Sequence, residues 1–322
     1  MTTQIEKALA KLTPPRETLL SIGVFDGVHL GHQHLISHLL ASARQRNLMS
    51  GAITFDRHPQ TVLSPRHPLP WLNNLEDKIS FLRRLGVELV AVLPFTQELA
   101  KISAGNFAQL LKKYLKMRGL VIGPDFALGK DREGDASTLK ALGEEMGFTV
   151  EVIPPFVLNG IAVSSTAIRE ALAHGDVKQV QELAGRPFSL SSQVISASGR
   201  GRKLGFPTAN LDIKPEQALP SDGIYATIAY INHEPLPSVT NIGLRPTFGG
   251  DRRWVEVYLI DYRGQLYGQK LKIDFVDRLR DERRFENAEE LKAQIRKDIE
   301  QARLVLTNKV KNANTQSRAK SK

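Results

Sequence analysis

Through the first half of the chain, short apolar runs alternate with stretches whose apolar residues recur at helical spacing. Leu19-Leu20-Ser21-Ile22, Ser50 to Phe55, Glu88 to Phe95, Leu120 to Gly123 and Val150 to Pro155 read as strands. Between them, Leu35-Ile36 through Leu39-Leu40 to Ala43, Leu75 to Leu85, Asn106 to Met117 and Ser137 to Met146 read as helices. Continuously apolar strands joined by helices predict a parallel sheet covered on both faces. From Phe188 the period shortens to two. Val255, Val257 and Leu259 alternate with Glu256, Tyr258 and Ile260, and Leu271, Ile273 and Phe275 alternate with Lys272 and Asp274. Turn signals at Ser221-Asp222-Gly223, Gly249-Gly250-Asp251 and Tyr262-Arg263-Gly264 separate these strands and predict an antiparallel barrel. A last helix, capped by Asn287 with Glu290 at its third position, carries Leu291, Ile295, Ile299 and Ala302 as its apolar stripe. The texture breaks near Ala184-Gly185-Arg186-Pro187, which divides the chain into domains at 1–185 and 186–306.

Onto this pattern the sequence lays a glycine-rich turn, Gly23-Val24-Phe25-Asp26-Gly27-Val28-His29-Leu30-Gly31-His32, between the first strand and the first long helix. Unpaired backbone N–H groups and the positive end of the helix dipole converge at such a point, so it suits phosphate. The spacing is neither that of a P-loop nor that of a dinucleotide fingerprint. His-x-Gly-His instead resembles the signature of the nucleotidyltransferase superfamily. The alternatives are that the histidines are ordinary helix-start residues, or that His29, His32, His34 and His38 bind zinc; no Cys or His-Glu-x-x-His pattern accompanies them.

Three further patches suit the same chemistry. Gly123 to Lys130, with Asp125 and Gly129, and Gly134-Asp135 after it, supply close backbone approach and a cation. Ser164-Ser165-Thr166 starts a helix with Arg169 one turn in, fit for a polyphosphate or for simple capping. His58, after the second strand, either lines an acceptor pocket or packs in its loop.

The 322 residues are enough for two cores, and the absence of cysteine excludes disulfides, iron–sulfur clusters and thiol nucleophiles. No apolar run reaches the length that spans a bilayer and no secretory signal is evident, so a cytoplasmic protein is expected. The net charge of +10 raises nucleic-acid binding as a rival function, but half of it lies in residues 307–322. That segment, with Lys309, Lys311, Arg318, Lys320 and Lys322 and no acid, reads as a disordered solvated tail.

In the second domain, Gly199-Arg200-Gly201-Arg202-Lys203-Leu204-Gly205-Phe206 runs into Pro207-Thr208-Ala209-Asn210. Its glycines and cations suit phosphate, and a Thr hydroxyl with an Asn carbonyl suits magnesium, although an RNA-contacting loop has the same composition. Glu256, on a polar strand face, is a candidate general base or an exposed carboxylate.

Together with Asn241-Ile242-Gly243-Leu244-Arg245-Pro246-Thr247-Phe248 and Val255-Glu256-Val257, these motifs occur in the order of the bacterial bifunctional riboflavin kinase/FAD synthetases, which the chain resembles over nearly all but its tail. The resemblance implies a Rossmann-like α/β nucleotidyltransferase domain followed by a six-stranded barrel with a C-terminal helix. It implies ATP, Mg²⁺, riboflavin, FMN and FAD as ligands. By that likeness His29 and His32 stabilise charge during adenylyl transfer, Ser164, Ser165 and Arg169 bind ATP, Thr208 and Asn210 hold Mg-ATP, and Glu256 deprotonates riboflavin. Gly23, Phe25, Asp26, Gly31, His58, Asp125, Gly129, Gly201, Lys203 and Pro207 are further candidates for ligand binding, and Arg280 looks like the arginine beside the flavin. Arg57, Tyr258 and Ala197 depart from the residues often found there, Pro, His and Gly. The partners implied are small molecules, with neither nucleic acid nor membrane, and a homo-oligomer is compatible. An adenylyltransferase for another phosphorylated acceptor, with the barrel as a binding module, is the enzymatic rival.

Overall fold

The computed structural model describes residues 3–64, 69–196, 201, 204–244 and 253–320, with side chains described as far as residue 307. By its contacts the chain divides into two units, 1–165 and 166–322.

The first unit is built on a five-stranded parallel sheet of order β3-β2-β1-β4-β5, formed by β1 (Thr18–Ile22), β2 (Met49–Phe55), β3 (Leu89–Leu93), β4 (Met117–Ile122) and β5 (Thr149–Val152). Every residue of β1 is buried, as expected of a central strand covered on both faces. Successive residues feed opposite cores. Leu20 and Ile22 pack with helix residues Phe107, Leu111 and Leu139, whereas Leu19 packs with Ile36, Leu39 and Leu82. The strand order reverses at β1, so the loop after its carboxyl end faces the crevice where α/β sheets bind ligands. That loop leads into α2 (Leu30–Gln45). The helix expected to reach Met117 spans Ala104–Leu115 instead. Lys116 takes a left-handed conformation (φ 52°), which lets Met117 open β4 directly.

The second unit carries a closed six-stranded barrel. Its order is β10-β11-β12-β9-β8-β13, from β8 (Ser189–Ile195), β9 (Ala209–Leu211), β10 (Gly223–Ile231), β11 (Glu234–Leu244), β12 (Arg253–Leu259) and β13 (Lys270–Arg280). Val255, Val257, Ile273 and Phe275 fill the interior, as their alternation predicts. Ile260, expected on the outer face, is also buried, because the C-terminal helix (Ala288–Lys320) lays Ala302 and Leu306 over it. Asn287 and Glu290 cap that helix reciprocally in side-chain terms, with the Glu290 N–H donating to Asn287 (2.9 Å). The helical backbone runs to Lys320, through the segment expected to be disordered, and no Gly or Pro interrupts it there.

The contact boundary falls earlier than the break in sequence texture. Helices α8 (Ser165–Ala173) and α9 (Val177–Ala184) group with the barrel. The Ser221 N–H donates to the Leu172 carbonyl (2.8 Å), Arg278 to the His174 carbonyl (3.1 Å), and Lys178 pairs with Asp277 (2.7 Å). A fragment beginning at Thr166 should therefore be more stable than one beginning at Arg186, which loses these contacts and the burial of Val177, Val180 and Leu183. The difference expected from the apolar burial alone is about 3 kcal/mol or more. Denaturant unfolding of the two fragments measures it, and equal midpoints would contradict this packing.

Candidate active sites

Between Gly23 and His29 the chain turns with left-handed backbone at Phe25 (φ 49°), Gly27 (φ 81°) and Val28 (φ 37°). Only the glycine adopts such a conformation cheaply, so the turn needs partners. The Phe25 and Val28 side chains are both buried. The Asp26 carboxylate accepts from the Leu72 N–H (3.0 Å), and the Gly27 N–H donates to the Asn73 side chain (2.9 Å). The Asp26 carbonyl accepts from the Ser165 hydroxyl (2.9 Å). Phe25, Asp26 and Ser165, expected to bind ligand, also shape the loop itself.

His29 is the N-cap of α2, its Nδ1 accepting from the His32 N–H at 3.4 Å. An accepting Nδ1 places the neutral ring's proton on Nε2. The His29 and His32 rings stack with centroids 3.7 Å apart, and Phe25 meets the His32 ring edge-on at 5.3 Å. Gly31 allows the close approach behind them, since a Cβ there would stand 2.7 Å from the Val163 carbonyl. His58 repeats the device as N-cap of a short helix, Pro59–Leu63, with Nδ1 accepting from the Gln60 N–H (3.2 Å) and its ring at 5.7 Å from Trp71. His29 and His58 are therefore both helix-start residues that cap through a ring nitrogen.

The other patches are placed as follows. Ser164 precedes α8 and Arg169 lies one turn along it. Asp125 is exposed in the loop after β4. Gly129 sits at φ 80° with the Ala104 backbone 2.7 Å from where a Cβ would be, and Gly23 lies against the Phe25 ring, so both are shaped by packing. Asp135 caps the helix Ala136–Met146, and hydrogen bonds from Thr138 and Ser137 lower its pKa to about 2. His34 and His38 contact each other edge-on at 4.7 Å, and among the described residues no group of three His, Asp or Glu could hold a metal.

In the barrel, Glu256 pairs across the ladders with Asn210 of β9 on one side and Asn241 of β11 on the other. Directly paired residues share a face, so the three stand in a row, opposite the face that buries Val255 and Val257. The row is acidic. Burial, Asp222 and Glu256 all push the Glu282 carboxyl above its ordinary pKa, while its hydrogen bond with Asn241 opposes them. The Asn241 carbonyl oxygen is buried with no hydrogen-bond partner among the described residues. Before this row, the Phe206 N–H closes onto the Gly201 carbonyl (2.8 Å), which brings Gly201 against Thr208. Pro207 is exposed at the loop's end. Ala197, Arg200, Arg202, Lys203 and Arg245 to Phe248 lie outside the described residues. Arg280, expected beside the flavin, forks onto Asp298 of the C-terminal helix (2.9 and 2.7 Å) and braces it to β13.

Family models for FAD synthetase and for riboflavin kinase match residues 11–167 and 184–306. A bifunctional riboflavin kinase/FMN adenylyltransferase of Escherichia coli K12 is 38% identical over 287 residues, covering 88% of this chain and 91% of its own. One of Pseudomonas fluorescens is 37% identical over 303 residues, covering 93% and 97%. The chain belongs to the bifunctional riboflavin kinase/FMN adenylyltransferase family. A solved Streptococcus pneumoniae structure described as a macrolide-efflux protein superposes with a TM-score of 0.85 at 30% identity, covering 94% of this chain and 98% of that one. Among the described residues of this family member, no helix is long and apolar enough to cross a membrane.

Sequence reasoning missed Leu72, Asn73 and Lys78, which support the glycine-rich turn. Lys78 did leave a signal: it occupies the apolar stripe shared with Leu75, Ile79 and Leu82, where a surface lysine does not belong. The capping geometry of His29 has its own test. His29→Ala should destabilise the chain by about 1 kcal/mol, whereas His29→Asn, which caps as well, should leave stability near the parent's. Equal losses in denaturant melts of the two variants would show that the cap is not what His29 contributes to folding.

Proposed function

We propose that the barrel transfers the γ-phosphoryl group of ATP to riboflavin, giving FMN and ADP, and that the α/β unit then transfers AMP from a second ATP to FMN, giving FAD and pyrophosphate. The observation that carries this reading is the row Asn210-Glu256-Asn241, because a barrel that only bound flavin would need no carboxylate set between two amides. Glu256 takes the proton from the riboflavin 5′-hydroxyl as its oxygen attacks phosphorus. The second step needs no base, since the FMN phosphate is already an anionic nucleophile. There His29 and His32 act on the charge that develops as pyrophosphate leaves, from a helix start that already favours phosphate. Ser164, just before α8, and Arg169, one turn along it, bind the polyphosphate.

The barrel site also fits magnesium. The Thr208 hydroxyl and Asn210 carbonyl are hard oxygen donors, and the carboxylate crowding that raises Glu282 is relieved by a cation. Magnesium, when bound there, neutralises phosphate charge. The chain works in the cytoplasm on small-molecule substrates.

Riboflavin, ATP and Mg²⁺ incubated with the protein and resolved by chromatography should show FMN and then FAD. Glu256→Gln should slow FMN production by about 10² to 10⁴ and leave FAD production from supplied FMN nearly intact. His29→Asn combined with His32→Ala should do the reverse, lowering FAD formation by about 10² or more while the kinase survives. Normal kinase turnover by Glu256→Gln would remove the general-base role of Glu256, whereas a parent that makes FAD from supplied FMN but no FMN from riboflavin would leave the rival reading, an adenylyltransferase with a binding barrel.

A further inference from the structure

Lys78 is 1% exposed, on the buried face of α4 (Leu75–Arg84). Its ammonium donates to the Val24 carbonyl (3.1 Å) and to the Phe55 carbonyl (3.0 Å). Val24 lies in the glycine-rich turn after β1, and Phe55 is the last residue of β2. One turn therefore leads to His29 and His32, the other to His58, and one nitrogen ties them. The same segment grips the first turn twice more, through Leu72 on Asp26 and Asn73 on Gly27. Trp71, just before it, covers the Lys78 ammonium at 4.9 Å and meets the His58 ring at 5.7 Å.

We propose that Lys78 is a positioning residue for adenylyl transfer, its buried ammonium holding the His29/His32 turn and the His58 turn at a fixed separation. The inference rests on the adenylyl-transfer reading above. Two carbonyls that converge from neighbouring strand ends repel each other, and a single cation between them both joins and orients them. No neutral side chain supplies that charge. The charged groups that act on Lys78 are the Asp26 and Asp56 carboxylates, one from each turn, and both favour the ammonium. Each is itself fixed, Asp26 by the Leu72 N–H and Asp56 by the Phe95 N–H (2.9 Å) and Arg57 (3.2 Å). Burial outweighs both and lowers the Lys78 pKa from its ordinary value to about 8. The tie is therefore charged at neutral pH and weakens as pH rises through that value. The unfolded chain keeps its proton to higher pH, so the parent gains stability relative to an uncharged variant between about pH 8 and 10.5. Loss of function and loss of folding thus run in opposite directions with pH.

Lys78→Met keeps the apolar stem and removes the charge. In the full-length chain it should lower kcat for FAD formation from FMN and ATP by about 10- to 100-fold, the scale of a misplaced catalytic group, with KM nearly unchanged and riboflavin phosphorylation at the parent rate. The parent's kcat for FAD formation should fall above about pH 8, and the variant's should not. Lys78→Ala should recover rate with added propylammonium and not with 1-propanol. A Lys78→Met variant with the parent's kcat and pH profile would overturn the role, as would a rate loss that only tracks its unfolded fraction. If that variant does not fold, the parent decides: a kcat for FAD formation that stays level from pH 7 to 9.5, while the chain remains folded, overturns the proposal. A parent that makes no FAD at all would instead overturn adenylyl transfer itself.

Discussion

The turn between Gly23 and His29 is the constraint on which the α/β site depends. Left-handed backbone at Phe25 and Val28 costs about 1 to 3 kcal/mol per residue, and it persists only where the surroundings over-determine it. Here they do. Two buried side chains, the anchors from Leu72 and Asn73, and the Ser165 hydroxyl all act on one short loop. What the strain achieves is orientation: the chain leaves a fully buried strand and enters α2 with its first N–H groups and two imidazoles at the open end of the sheet.

The barrel solves a different problem. Its interior is closed to ligands, because Tyr225, Phe275 and their neighbours fill it and the buried hydroxyls of Thr227, Ser238 and Thr240 satisfy one another at 2.7 Å. The outer face carries the alternate residues of the same strands. There the carboxylates of Asp222, Glu256 and Glu282 gather. Arg280 and Arg253 hold the surrounding segments by pairing with Asp298 and with Asp222 (2.6 Å). The face gathers carboxylates while its frame is fixed by ion pairs.

What was legible in the sequence follows from the range of the interactions. Periodicity reports which face of an element is buried, so the parallel sheet, the barrel strands and the capped C-terminal helix could be read directly, and local motifs single out His29, Glu256 and Asn210 as candidates. Partners distant in sequence left no such trace. Asn73 meets Gly27, Asp298 meets Arg280 and Ser165 meets Asp26 only after folding. Two glycines read as ligand contacts, Gly31 and Gly129, also lie where backbone from elsewhere passes close by, a constraint with no local trace in the sequence. The break near Gly185 marks a change of period, whereas α8 and α9, which precede it, group with the barrel by their contacts, α9 packing against β13.

The use of histidine as a helix cap joins the structural and chemical roles of the first site. Serine or asparagine would satisfy the same backbone N–H, and either would leave little at hand for a ligand. Imidazole spends Nδ1 on the cap, and that bond places the neutral ring's proton on Nε2. The cap therefore fixes the orientation of the ring within the fold. His58 is held in the same manner at the end of the neighbouring strand. The two capped rings thus stand after adjacent strand ends, and the spacing between those ends is set by what lies beneath them: the Lys78 ammonium, which donates to the carbonyls of Val24 and Phe55.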